Sequence, residues 1–178
     1  MTELVVLLDD DRSPIGTAAK AGVHTADTPL HLAFSGYVTD AAGRLLMTRR
    51  ALSKATWPGV WSNSVCGHPG PGEPVAGAVV RRARQELGLV LTGVREVLPS
   101  FAYRATDASG LVENEVCPVF EARADGDPSP DPAEVAEWRW ASWDGVVATA
   151  KGAPWALSPW SVLQVLELDA VGWRPDGA

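Results

Sequence analysis

The sequence predicts an α/β sandwich with a mixed central sheet. Short β-like runs alternate with segments of helical apolar spacing. The 178 residues suffice for one domain with a real core. Hydrophobic residues make up 46% and charged residues 21%, and neither a repeat nor a linker divides the chain.

The elements follow in order. Residues 4–8 form an apolar strand, stopped by Asp9-Asp10-Asp11. Residues 12–16 read as a turn punctuated by Ser13-Pro14. Residues 32–39 and 44–49 are β-like and flank Asp40-Ala-Ala-Gly43, a hairpin signal. Residues 51–72, rich in Gly, Pro, Ser and Trp, should be mostly loop. Residues 74–87 are the clearest helix: Glu73-Pro74 suits its start, Gly88 its stop, and Val79, Val80, Ala83 and Leu87 its apolar stripe. Strands are expected over 94–104 and 114–122, with a turn at 106–110, and Pro118 points to an edge or a bulge. A Pro/Asp/Gly loop at 125–132 leads to a strand at 135–140 and helices at 142–150 and 159–168. The core should span about 4–168, with a frayed tail from about 172.

A net charge of −7 argues against binding nucleic acid or an anionic membrane. Any anionic substrate then needs locally concentrated positive charge. Two cysteines without a CxxC fit a reducing compartment. The acidic start and short apolar run read as a strand, not a signal peptide, and no run is long enough to span a bilayer. A cytoplasmic protein is expected.

The histidines carry the first chemical signal. Only His24, His31 and His68 occur, and His68 follows Cys66 by two positions. Glu113-Asn-Glu115 has strand spacing, so both carboxylates share one face. Three imidazoles and two carboxylates suit a divalent first-row metal. A lone histidine is more often packed or solvated, and an isolated Glu-x-Glu is usually an exposed strand face.

The predicted helix carries the second. Gly67, Glu73, Arg81 and Glu86-Leu-Gly-Leu89 follow the spacing of the Nudix box, but Arg82 and Gln85 stand where the hydrolase pattern has glutamates. Arg82 and Glu86, four apart, could equally form a surface salt bridge. The motifs His24-Thr-Ala-Asp-Thr-Pro-Leu-His31-Leu-Ala-Phe, Thr48-Arg-Arg-Ala-Leu-Ser-Lys54, the Trp57 to His68 stretch, Tyr103-Arg-Ala-Thr, Glu113-Asn-Glu-Val-Cys-Pro and Ser158-Pro-Trp160 follow in order. Together they resemble type I isopentenyl-diphosphate isomerase, in register over about 4–168. That family keeps the Nudix fold while abandoning hydrolysis.

The resemblance implies a Nudix-like α/β/α sandwich and an isomerase converting isopentenyl diphosphate to dimethylallyl diphosphate. It makes His24, His31, His68, Glu113 and Glu115 ligands of Mn²⁺ or Mg²⁺. Zn²⁺ could enter on purification, since affinity rises across the row. It implies a second Mg²⁺ on the diphosphate, held by Glu86 and the Cys66 carbonyl. Cys66 and Glu115 become the proton-transfer pair, in either order, with Tyr103 assisting Glu115 and Trp160 against the hydrocarbon. Lys20, Arg50, Lys54 and Arg82 gather around the diphosphate. Trp57, Trp61 and Pro154-Trp155 would form part of a wall or lid, and Cys117 would be structural. A small prenyl diphosphate is the expected partner, with a monomer expected and a dimer left open. Two rival readings are a Nudix diphosphohydrolase, and a non-catalytic module in which Cys66, His68, His24 and His31 hold a structural zinc.

Overall fold

A computed structural model describes residues 2–175. The elements run β1 (Leu4–Leu8), β2 (Pro14–Ala19), α1 (Lys20–Val23), β3 (His31–Leu32), β4 (Phe34–Thr39), β5 (Leu45–Arg50), β6 (Trp61–Ser62), β7 (Val65–Gly67) and α2 (Val75–Leu87). Then come β8 (Leu91–Leu98), β9 (Ala102–Thr106), β10 (Val112–Val116), β11 (Val119–Ala124), β12 (Val135–Ala141), α3 (Trp143–Gly152), a single 3-10 turn (Pro154–Ala156) and α4 (Pro159–Ala170). None of the described helices is long and apolar enough to cross a membrane.

Two mixed sheets form the frame. One has the order β2-β1-β3-β10-β9; the other runs β12-β5-β4-β11-β8, with β6 on β5 and β7 on β4. The larger sheet is covered on both faces, because residues along a strand alternate sides. Phe34 and Val38 of β4 join Val79, Ala83 and Leu87 of α2 in one core. Tyr37 of the same strand joins Trp143 and Val147 of α3 and Val165 and Leu168 of α4 in the other. The expected α/β/α sandwich is therefore present, with its mixed pairing divided between two sheets.

The chain crosses between the sheets twice, side by side. Ala33 separates β3 from β4, and Cys117-Pro118 separates β10 from β11. Both pairs, β3 with β10 and β4 with β11, are parallel. Ala33 N–H donates to Val116 O at 2.9 Å and Ser35 N–H to Pro118 O at 3.1 Å, which stitches the crossings together.

Several expectations need correction. Residues 12–16 are not only a turn, because β2 pairs antiparallel with β1 from Pro14; its exposed positions hid the strand pattern. The run 94–104 is two strands, as is 114–122. Pro118 marks no edge: it lies where the chain changes sheet, between two interior strands, and the register of β11 on β8 shifts just after it, between Val119 and Phe120, as a bulge would shift it. On α2, Val80 is 39% exposed, while Ala78, Arg82 and Glu86 join the buried face. The tail is tied down as far as it is described. Trp173 packs edge-on to Trp143, with ring centroids 4.8 Å apart, and its Nε1–H donates to Glu121 Oε2 at 2.5 Å. The rest of the expected frayed tail, 176–178, lies outside the described residues.

Candidate active site and metal centre

The site lies at the seam of the two sheets. Strand register builds one side of it: Glu115 on β10 pairs with His31 on β3 and with Tyr103 on β9. Three neighbouring strands thus present an imidazole, a carboxylate and a phenol in one row. His24 follows α1, and His68 follows β7 of the other sheet.

Ligand atoms of His24, His31, His68 and Glu115 all lie within 4.8 Å of one another. The three Nε2 atoms converge on Glu115 Oε1, at 3.9 Å from His24, 3.4 Å from His31 and 3.1 Å from His68. His31 Nδ1–H donates to the Pro29 carbonyl at 2.9 Å, which puts the proton on Nδ1 and leaves the Nε2 lone pair free. His24 Nε2 and His31 Nε2 are buried with no hydrogen-bond partner among the described residues. Unpaired buried imidazole nitrogens around a carboxylate are what a divalent cation would satisfy.

Electrostatics follow from this crowding. Burial opposes ionisation of Glu115, but the three histidines outweigh it and hold its carboxyl well below the usual range. Burial and the neighbouring Glu115 charge push Glu113 up. Burial lowers His68 despite its bond to Glu115; for His31 the contacts with Glu115 outweigh burial and raise it. Burial between the two glutamates pushes Tyr103 well above its ordinary value.

Glu113 shares the face of Glu115 but not its cluster. One of its oxygens accepts from Thr56 Oγ1 and the other from the Tyr103 hydroxyl, both at 2.5 Å. The Tyr103 hydroxyl also lies 2.9 Å from Glu115 Oε2, so its single proton is shared between the two carboxylates. Cys66 is not in the cluster either. Its thiol donates to Asn63 Oδ1 at 3.1 Å and lies 3.4 Å from Ser35 Oγ, so the histidines and Cys66 do not form a zinc set here. Burial pushes the Cys66 thiol up to about 11.

A cavity of about 530 Å³ joins these groups. His24, Cys66, His68, Tyr103, Glu113, Glu115 and Trp160 line it, as do Lys20, Arg50, Lys54, Arg82 and Glu86. His31 lies behind the wall, fully buried. Trp160 is 2% exposed; its ring meets Trp57 edge-on at 5.2 Å and Tyr103 at 5.7 Å. Trp61 lines a separate, smaller cavity, and Trp155 is 81% exposed, so neither belongs to this wall.

The four cations lining the cavity have partners within the protein. Lys20 pairs with Glu3 at 2.6 Å and Lys54 with Glu134. Arg82 pairs with Glu86, and more loosely with Glu3 at 3.4 Å and Glu134 at 3.5 Å. Arg50 donates to the Thr56 carbonyl, with its guanidinium carbon 5.4 Å from the centre of the Trp160 ring. Arg82 and Glu86 are both buried, so their pair is no surface salt bridge.

The Nudix-like spacing has a mechanical meaning. Arg81 donates to both Glu73 oxygens at 2.7 Å, Gly70 N–H donates to Glu73 Oε2 at 2.8 Å, and Arg81 reaches the His68 carbonyl at 3.3 Å. This clasp fixes the loop carrying His68 onto α2. Gly67 permits this close approach: a Cβ there would lie 3.0 Å from Arg82 Cγ and 3.1 Å from Phe34 Cζ, tighter than ordinary packing.

Asn63, Ser35, Thr56, Glu134 and Glu3 escaped the sequence reading. All are common residue types without diagnostic spacing. Asn63 alone left a trace, three residues before Cys66 in a chemistry-bearing stretch.

A family model described as the NUDIX domain matches residues 29–161. The isopentenyl-diphosphate Delta-isomerase of Frankia alni is 68% identical over 161 residues, covering 90% of this chain and 83% of that protein. The protein of the same name from Clavibacter sepedonicus is 60% identical over 164 residues, covering 92% and 86%. Among solved structures, a crystal structure of a Deinococcus radiodurans protein matches with a TM-score of 0.70 at 20% identity, covering 93% of this chain and 98% of that one. The MutT protein of Methanosarcina mazei matches with a TM-score of 0.63 at 18% identity, covering 81% and 96%. At these identities the two structures bear on the fold alone.

Proposed function

The chain belongs to the Nudix family and, within it, to the isopentenyl-diphosphate Delta-isomerases, and from that membership we propose how its residues divide the reaction. The enzyme isomerises isopentenyl diphosphate to dimethylallyl diphosphate. One proton is added to the terminal alkene carbon and another leaves C2, so no atom is gained or lost. The species between them is a tertiary carbocation or close to one.

Two proton-transfer groups must meet the hydrocarbon, and we assign Cys66 and Glu115, with Tyr103 assisting Glu115. The observation that carries this reading is their convergence. Cys66 comes from the larger sheet, Glu115 and Tyr103 from the smaller, and all three line one cavity with Trp160. Trp160 would stabilise the cation through its π face, worth about 2 kcal/mol when desolvated, or roughly thirtyfold in rate. The buried Trp160 and Tyr103 would help keep water from capturing the cation.

His24, His31, His68 and Glu115 suit a divalent cation, and we assign Mn²⁺ or Mg²⁺, with Zn²⁺ able to enter on purification. Glu113 would become the fifth ligand by giving up Thr56 or Tyr103. Glu86 and the Cys66 carbonyl would hold a second Mg²⁺. When bound, these cations supply charge neutralisation for the diphosphate and the carboxylates. Lys20, Arg50, Lys54 and Arg82 would take the diphosphate, which replaces Glu3 and Glu134 as their counter-charge. Both cysteines are free, which supports a reducing compartment, and we place the enzyme in the cytoplasm.

Proton NMR with isopentenyl diphosphate, Mg²⁺ and trace Mn²⁺ in heavy water tests the reading. New allylic methyl signals carrying deuterium, with the diphosphate intact, are expected. Free phosphate with an unshifted double bond would instead indicate hydrolysis. Cys66→Ala and Glu115→Gln then assign direction: the variant that still exchanges deuterium into the terminal carbon of unreacted substrate retains the proton donor.

A further inference from the structure

We propose that Asn63 is a positioning residue whose single amide oxygen sets the Cys66 thiol and the Trp160 indole relative to each other. This rests on reading Cys66 and Trp160 as the groups that face the reacting hydrocarbon.

Three donors meet at Asn63 Oδ1: Cys66 Sγ at 3.1 Å, Trp160 Nε1 at 3.1 Å and Ser62 Oγ at 2.9 Å. The amide cannot turn over. Its Nδ2 donates to the carbonyls of Gly36 at 3.1 Å and Val65 at 2.9 Å, and a flipped oxygen would face both. Asn63 is 1% exposed, so water does not compete for these bonds.

The connections extend to the helix that carries the indole. Ser62 Oγ lies 2.9 Å from the hydroxyl of Ser158, the residue before α4. On its other side, the Cys66 thiol lies 3.4 Å from Ser35 Oγ, which accepts from Gln164 Nε2 at 2.9 Å. Cys66 therefore sits between two buried side chains, each linked to α4. The thiol comes from one covering of the cavity and the indole from another, almost a hundred residues apart in sequence. One shared acceptor fixes the distance between the proton-transfer atom and the face that must meet the cation. Asn63 reaches the same cavity wall, but in this reading it acts through Cys66 and Trp160 and not on the hydrocarbon.

The test is a double-variant cycle in the metal-loaded enzyme, with melting followed for every protein. Asn63→Ala should lower kcat by about 10- to 100-fold, the scale of a small misplacement at a reacting centre. KM for isopentenyl diphosphate should stay within about twofold, because the diphosphate cations do not touch Asn63. Phenylalanine at 160 has no N–H to anchor, so Trp160→Phe and Asn63→Ala should combine to less than the product of their separate losses. A multiplicative loss, or an unchanged kcat in Asn63→Ala, would overturn the proposal. Should Asn63→Ala fail to fold, the Trp160 indole N–H resonance decides, identified by its disappearance in Trp160→Phe. It should shift in Cys66→Ala, where the shared oxygen loses one donor, and a stationary resonance would overturn the proposal. Full activity in Cys66→Ala or Trp160→Phe would overturn the roles of those residues and this inference with them. Normal losses in both, with multiplicative behaviour at Asn63, would overturn this inference alone.

Discussion

Cys66 was legible as a candidate only through its motif; a lone cysteine reads as a small apolar residue, and here the thiol is half-buried at the cavity wall. Its raised value, about 11, keeps the proton on sulfur at neutral pH. Cys66→Ala should reduce turnover by at least about a thousandfold if proton transfer at this position has its ordinary catalytic weight, with diphosphate binding by calorimetry largely retained. A different residue responds to pH through stability. Burial opposes ionisation of Asp40, but the N–H groups of Arg44 and Ala42 and the Arg44 guanidinium outweigh it, so its carboxyl sits below the usual range. The folded value lies below the unfolded one, so its contribution is complete above about pH 4 to 5 and is lost as pH falls through the folded value. Asp40→Ala should cost about 1–2 kcal/mol at pH 7 by urea unfolding, with the difference from wild type shrinking toward pH 3.

At the scale of elements, local chemistry explains what the sequence revealed. The helix over 74–87 was visible because Pro74 and Gly88 bracket an amphipathic run, and Gly88 adopts the left-handed conformation at φ 66°. A Cβ at Gly88 would lie 3.1 Å from the Ser129 carbonyl. Gly88→Ala should therefore destabilise the protein by about 1–2 kcal/mol in thermal unfolding, through backbone strain and this close approach. The hairpin at Asp40 to Gly43 was readable for the same kind of reason, a glycine at φ 70°. The splits of 94–104 and 114–122 were not readable. Both runs remain β-like throughout, and only tertiary pairing decides where each changes partner. Arg82 and Glu86 escaped a hydrophobic-stripe reading because they are buried as a charged pair. The cluster of three histidines around Glu115 was legible because histidine is scarce. Asn63 and Glu134 were not, because their roles exist only once distant strands meet.

For the whole molecule, charge and metal are linked. The net charge of −7 contrasts with four cations lining one cavity. Raising salt should increase KM for the diphosphate while leaving kcat nearly constant, by screening the exposed part of that attraction. Metal should stabilise the fold, because it binds the native cluster and the unfolded chain offers no such site. Adding Mn²⁺ to chelator-treated protein at about 100 times its dissociation constant should contribute about 2.7 kcal/mol, read as a rise in Tm. That rise should fade below about pH 6, where protons compete for the imidazoles. A Tm unmoved by metal at pH 7.5 would argue against the four-residue centre.

The double crossing at Ala33 and Cys117-Pro118 also bears on when the enzyme can first exist. Its proposed metal ligands span His24 to Glu115, and the cluster needs β3 and β10 already side by side. A ribosome that has released only the first hundred residues has delivered all three histidines but neither Glu113 nor Glu115 to join them. Nascent chains of that length should hold metal loosely or not at all, and tight loading should begin only after Glu115 has cleared the exit tunnel. Metal supply for this protein is then a problem for the finished chain rather than for its synthesis.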